Sequence, residues 1–231
     1  MKPHYYYYLL LFSLIVSCGQ DKTVQLPEIK HADISKINDV SAAYLFYDET
    51  KADSVELNRK NLISTTNWLV NVDKRLILKQ AIPQIIFLQE KKRNTEMHKN
   101  ENAKNYFTCN DTSIKNLGFI EFTDVVYHQE DSKAFLNMNK SQVNQIINIK
   151  VQSLDSTYVS FIRNDTVFIH SSNQKDLLSH LEGNLTGQGD AVIISEFNEN
   201  LSFQDYITYK SLLSQINFKN VTIANDEFIF N

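Results

Sequence analysis

Trp68-Leu69-Val70-Asn71-Val72-Asp73-Lys74-Arg75-Leu76-Ile77-Leu78 is the stretch on which the fold turns. A short apolar, β-prone run meets a charged turn at 73–75, and then Leu78, Ile82, Ile85 and Ile86 recur at i, i+4, i+7 and i+8. The first part has the pattern of a buried strand, and the second lays one apolar stripe along a helix running to about Lys92. Pro83 suits the first turn of a helix, where its missing N–H costs little, so the helix is expected to start near Lys79 or later. The same succession returns at a constant offset of 125 residues, with Trp68 over Ile193. Asp73 then lies over Asn198, Leu76 over Leu201, Leu78 over Phe203, Ile82 over Ile207 and Leu88 over Leu213. Few identities survive, so the echo is one of apolar pattern: strand, polar turn, helix, later strand.

Outward from these two units, Ala42-Ala43-Tyr44-Leu45-Phe46-Tyr47 and 119–127 have strand character, and the charged 91–104 reads as a helix end and loop. Strands at 158–163 and 166–170 flank Asn164-Asp165, a dipeptide suited to a hairpin turn. Leu177, Leu178, Leu181 and Leu185 form a helical stripe stopped by Gly187 and Gly189. Residues 191–195 are nearly continuous apolar, Ser202 stands three before Asp205 as in a capping box, and 221–223 and 227–230 close the chain as strands. The expected architecture is α+β: two small tandem βαβ-containing domains with mixed sheets, each flanked by helices. The first would occupy 39–130 and the second 151–231, with 131–150 as linker.

The elements 158–170, 175–185, 191–197, 203–215 and 221–230 follow the order of the periplasmic domain of the ExbD/TolR biopolymer-transport family, which the second half resembles and the first half echoes more weakly. That resemblance implies the family's fold, dimerisation through this domain, and binding of protein or peptidoglycan. Members of the family are anchored by a transmembrane helix with an ion-coupling aspartate. This chain begins differently, so the motor role is not carried over.

Its start reads Met1-Lys2-Pro3-His4, then Tyr5 to Tyr8, then an apolar run ending Ile15-Val16-Ser17-Cys18. A short basic region, an apolar run too short to span a bilayer and a small residue before a cleavage point describe a signal peptide, here 1–17. Ile15-Val16-Ser17-Cys18 resembles the lipobox of bacterial lipoproteins, which makes Cys18 the lipid attachment site. Two or more acyl chains give stable anchoring where one is marginal. Residues 18–38, polar and containing Pro27, are expected to be a flexible tether. The residue after cysteine is Gly19, not Asp, which points to the outer membrane, facing the periplasm.

The composition is that of a folded chain, 42% hydrophobic and 22% charged, and its net charge of −4 carries no basic stripe for nucleic acid. With Cys18 committed to lipid, Cys109 is left without a partner, so no internal disulfide is expected. His4, His31, His98, His128, His170 and His180 show no zinc spacing, and His170 and His180 are best read as hydrogen-bonded or solvated. Cys109 lacks the surroundings of a thiol nucleophile, and no Gly-x-Ser-x-Gly elbow or phosphate loop occurs. Asp48-Glu49, Glu130-Asp131 and Asp226-Glu227 read as solvated turn charges, Trp68 as core, and Glu90-Lys91-Lys92-Arg93 as the basic end of a helix. No catalytic, cofactor or metal residue is assigned. The expectation is a non-catalytic envelope lipoprotein, held to the membrane by its lipid, that binds a protein partner or cell-wall component. The competing expectation is an envelope hydrolase whose site is assembled from scattered residues.

Overall fold

The computed structural model describes residues 22–94, 100–139, 144–163, 166–185 and 190–231. The segment 1–17, Cys18, His4, His98, the Asn164-Asp165 turn, Gly187 and Gly189 lie outside the described residues.

The fold is α+β in two parts: two mixed six-stranded sheets and, among the described residues, four helices. The first sheet holds β1 (Glu28–Ile29), β2 (Val40–Tyr47), β3 (Val55–Asn58), β4 (Asn67–Val72), β5 (Asn105–Asp111) and β6 (Asn116–Glu121). Helix α1 (Leu78–Arg93) connects β4 to β5. Strands β2, β4 and β5 are parallel neighbours, with β3 antiparallel on β2 and β6 antiparallel on β5. The second part holds β7 (Val126–His128), α2 (Lys133–Asn139), β8 (Gln145–Ser153), β9 (Ser156–Arg163), β10 (Thr166–Ser172), α3 (Leu177–Leu185), β11 (Ala191–Asn198), α4 (Phe203–Leu213) and β12 (Val221–Phe230). Its strand order is β10-β9-β8-β11-β12-β7.

The echo at 125 residues has a geometric counterpart. Strand β2 with β3 antiparallel and β4 parallel beside it matches β8 with β9 and β11; α1 matches α4, and β5 matches β12. The two turns are built alike. Arg75 N donates to Asp73 Oδ1 at 3.1 Å and Asn200 N to Asn198 Oδ1 at 2.8 Å. The units then meet at their helix starts through reciprocal bonds. Leu78 N donates to Leu201 O at 3.0 Å, and Phe203 N to Leu76 O at 2.7 Å. Lys79 N donates to Glu199 O at 2.9 Å, and Gln204 N to Lys74 O at 3.2 Å. Ile77 and Ser202, equivalent under the offset, bridge each other. Exchange of i with j under the same offset is the signature of an isologous, two-fold contact, here inside one chain.

This contact solves a local problem. A helix start leaves its first N–H groups unbonded. Ser202 caps α4 by accepting from Asp205 N at 3.1 Å, but Ile77 has no side chain to do so for α1. The carbonyls of the opposite unit complete both first turns. The buried stripes of both helices therefore share one core, where Phe107 of β5 lies edge-on to Phe203 at 5.2 Å and Tyr206 at 6.3 Å.

Several expectations are corrected. Helix α1 begins at Leu78, and Pro83 lies inside it, past the first turn. Pro83 and Lys79 are both exposed, so the carbonyl left unbonded one turn back faces water. The strand expected over 119–127 is broken: Phe122 and Val125 turn into the core, and Gln89 Nε2 holds their carbonyls at 3.1 and 3.0 Å. Residues 126–128, assigned to the first domain, instead pair with β12 in the second sheet. The expected linker 131–150 contains α2 and the start of β8, a central strand. Strands β3 and β5 lie where the sequence pattern predicts no strand. From Lys22 onward the expected tether is bound to the first sheet: Lys74 N donates to Gln25 O at 2.7 Å, Asn110 N to Pro27 O at 2.8 Å, β1 pairs with β5, and Ile34 bridges Phe119. Gly118 permits that crossing, since a Cβ there would stand 2.5 Å from Ala32 Cβ.

Candidate functional site

The chemically strongest groups are in the interior of the second part, and each is occupied. Glu227 of β12, read from sequence as a solvated turn charge, is 4% exposed and accepts from Tyr206 Oη at 2.7 Å and from Lys210 Nζ. Tyr206 also meets Tyr127 Oη at 3.1 Å. Burial, reinforced by the Glu227 carboxylate, pushes both tyrosine hydroxyls well above their ordinary pKa. On the other face of the sheet Glu196 accepts from Ser132 Oγ and from Asn148 Nδ2 at 2.6 Å, with Lys150 Nζ at 3.4 Å. These networks tie strands together: the first fastens β7, α4 and β12, and the second fastens the 129–133 turn to β8 and β11.

The remaining sequence candidates are dispersed. His170 lies edge-on to Phe161 at 5.7 Å, and His180 Nδ1 bonds Ser172 Oγ at 2.9 Å. His128 bonds Asp226 at 2.7 Å and stacks on Phe228. Cys109 is fully buried, and that burial, with Asp111 nearby, pushes its thiol up to about 12. Trp68 is core, 2% exposed, its Nε1 donating to Ile63 O at 2.7 Å. Lys92 is half-buried over the Trp68 ring, and desolvation pushes its amine down to about 8. Among the described residues no group of three or more His, Cys, Asp or Glu side chains could hold a metal ion, and no helix is long and apolar enough to cross a membrane.

The surface feature that stands apart is β10. It is the outer strand of the second sheet, and among the described residues no strand pairs with its outer edge along Thr166–Ser172. Val167, Phe168 and Ile169 are consecutive and 47%, 60% and 65% exposed. The other sheet edges are blunted in the usual ways. Strand β3 has four residues and runs into Arg59 and Lys60, β6 is bridged by Ile34, and β7 has three residues. Among the described residues nothing of that kind guards β10, which carries no Lys or Pro. Register places Phe168 opposite Phe161 and His170 opposite Val159, on the face that also carries α3. There Phe161, Phe168, His170, Gln145, Arg163 and Asn184 line a cavity of about 240 Å³ beside the edge. Val167 and Ile169 point to the opposite face, next to Ile162 and the smaller core under α2.

Comparison with protein-family models, curated proteins and solved structures finds no match for this chain. The β10 surface therefore has to be read from its own chemistry. Its sequence, Thr166-Val-Phe-Ile-His170, was legible as a strand, but a strand's place in its sheet is set by remote partners. The absence of gatekeeper charges was the only local signal that this edge is different.

Proposed function

We propose that this chain is a non-catalytic, lipid-anchored envelope lipoprotein, at the outer membrane and facing the periplasm, that binds another protein as an added strand along β10. The observation that carries this is the unguarded edge with three consecutive exposed apolar side chains. An incoming extended segment gains main-chain hydrogen bonds along the edge, and its alternate side chains find different faces. One set meets Phe168 and the cavity beside it, rimmed by Gln145, Arg163 and Asn184; the other meets Val167 and Ile169. Burying such a side chain contributes roughly 1.5–3 kcal/mol. The partner is accordingly an extended protein segment with apolar residues at alternate positions. A cell-wall glycan suits this surface less, since Val167 and Ile169 offer no hydrogen bonds to its hydroxyls.

The test is a photo-crosslinking residue at Ile169 in the membrane-bound full chain, with Met138, itself 68% exposed, as reference position. A discrete protein adduct at position 169 that disappears with Phe168→Lys is the expected result. Equal labelling at both positions, or adducts with glycan alone, would refute the strand-addition reading.

A further inference from the structure

The N-terminal segment is bound to the first sheet almost from where the structure describes it. Lys22 Nζ bonds Asp48 at 2.6 Å and Glu56 at 2.5 Å, at the two ends of the β2–β3 hairpin turn. Gln25 N donates to Asp73 Oδ2 at 3.1 Å, and Lys74 N returns a bond to Gln25 O at 2.7 Å. Glu28 is held by both Gln204 and Lys74, and Ala32 N donates to the buried Asp111 at 2.7 Å. If Cys18 carries lipid, the chain available between membrane and body is the stretch from Cys18 to Lys22. Extended fully, it reaches at most about 14 Å. A free tether running to Asn38 would have a root-mean-square reach of about 25 Å and would leave orientation open.

We infer that the body is held against the bilayer with the β2–β3 hairpin as its membrane-apposed surface, and that the partner of this surface is the lipid headgroup layer. The inference rests on the lipoprotein reading of Cys18. The hairpin surface is suited to lying on headgroups without entering the hydrocarbon. Glu49, Thr50, Lys51, Ala52 and Asp53 are exposed, polar or small, and of mixed charge. Mixed charge of this kind is compatible with a zwitterionic headgroup layer, and salt screens interactions between its exposed charges beyond about a Debye length.

The experiment uses the full acylated chain in zwitterionic vesicles of phosphatidylethanolamine and phosphatidylcholine. Ala52→Cys supplies a thiol for a fluorophore; Cys109 is fully buried, and the unsubstituted chain serves as labelling blank. A fraction of the lipids carries a headgroup nitroxide, which quenches only near contact. A second variant inserts about 20 Gly/Ser residues between Asp21 and Lys22, leaving every described contact intact while adding a reach of about 25 Å. Loss of most of the quenching in the lengthened chain is expected, since its added reach frees the hairpin from headgroup contact. Equal quenching in the two, with both chains floating with vesicles, overturns the apposed orientation. Failure of the unsubstituted chain to float, or flotation that survives Cys18→Ala, overturns the lipoprotein reading on which it stands.

Discussion

At the scale of single residues, burial decides reactivity. Cys109 has no exposed surface, and with its thiol held near 12 it should resist a thiol reagent at pH 8 in the folded Cys18→Ala chain and react at once in denaturant. Fast labelling of the native protein would contradict the burial described. Lys92 gives a pH dependence. Its folded pKa of about 8 lies below the ordinary 10.5, so between these values the unfolded chain binds a proton that the folded chain does not. Stability contributed by this residue therefore rises as pH rises from about 8, by about 3 kcal/mol in full. Denaturant midpoints at pH 7.5 and 9.5 should show this rise in the unsubstituted chain and a smaller one in Lys92→Met. The Lys210–Glu227 pair is a further test. Removing one partner strands a buried charge, so Lys210→Met should destabilise by about 3 kcal/mol. The double variant Lys210→Met/Glu227→Gln should recover part of that loss, as urea titration can measure.

At the scale of elements, the two helix starts are equivalent by position but capped differently. Ser202→Ala should cost about 1 kcal/mol of stability, because α4 loses the bond to Asp205 N. Ile77→Ala should leave the capping of α1 unchanged, since its first N–H groups are taken by Leu201 O and Glu199 O. Thermal melts of the two variants separate the cases. For β10 the expectation is opposite in kind: Val167→Lys, on a side chain 47% exposed, should leave the melting temperature within a degree or two while abolishing the adduct formed from position 169. Which elements were legible follows from their surroundings. Strand β11, apolar on both faces, announced itself. Strand β8 did not, because Asn148 and Lys150 interrupt its apolar residues, and their acceptor Glu196 comes from another strand. Strand β5 ends at Asp111, whose buried carboxylate takes Ala32 N and Ser113 N from flanking loops. Such polar strands look like loops until their remote partners are known.

At the scale of the whole molecule, the two parts share reciprocal contacts and one core, and we expect them to unfold as one unit. Calorimetry should give a single transition whose calorimetric and van't Hoff enthalpies agree, although the chain reads as two tandem domains. Two resolved transitions would mean that the Phe107–Phe203–Tyr206 contact and the bridge at Ile77 and Ser202 contribute little. The strand β7 reinforces the coupling, since it follows the first sheet in sequence yet lies beside β12 in the second.

The sequence by itself determined the α+β class, the repeated strand–turn–helix at an offset of 125 residues, the stripes of α1 and α4, and the cap at Ser202, because each is a matter of local period and turn chemistry. The tertiary structure decided what those units do to one another. It turned the offset into a two-fold contact, drew the segment after Lys22 onto the first sheet, and sent Glu227 inward. It also left β10 as an open edge. These outcomes depend on hydrogen-bond partners far away in sequence, and no local pattern of residues carries that information.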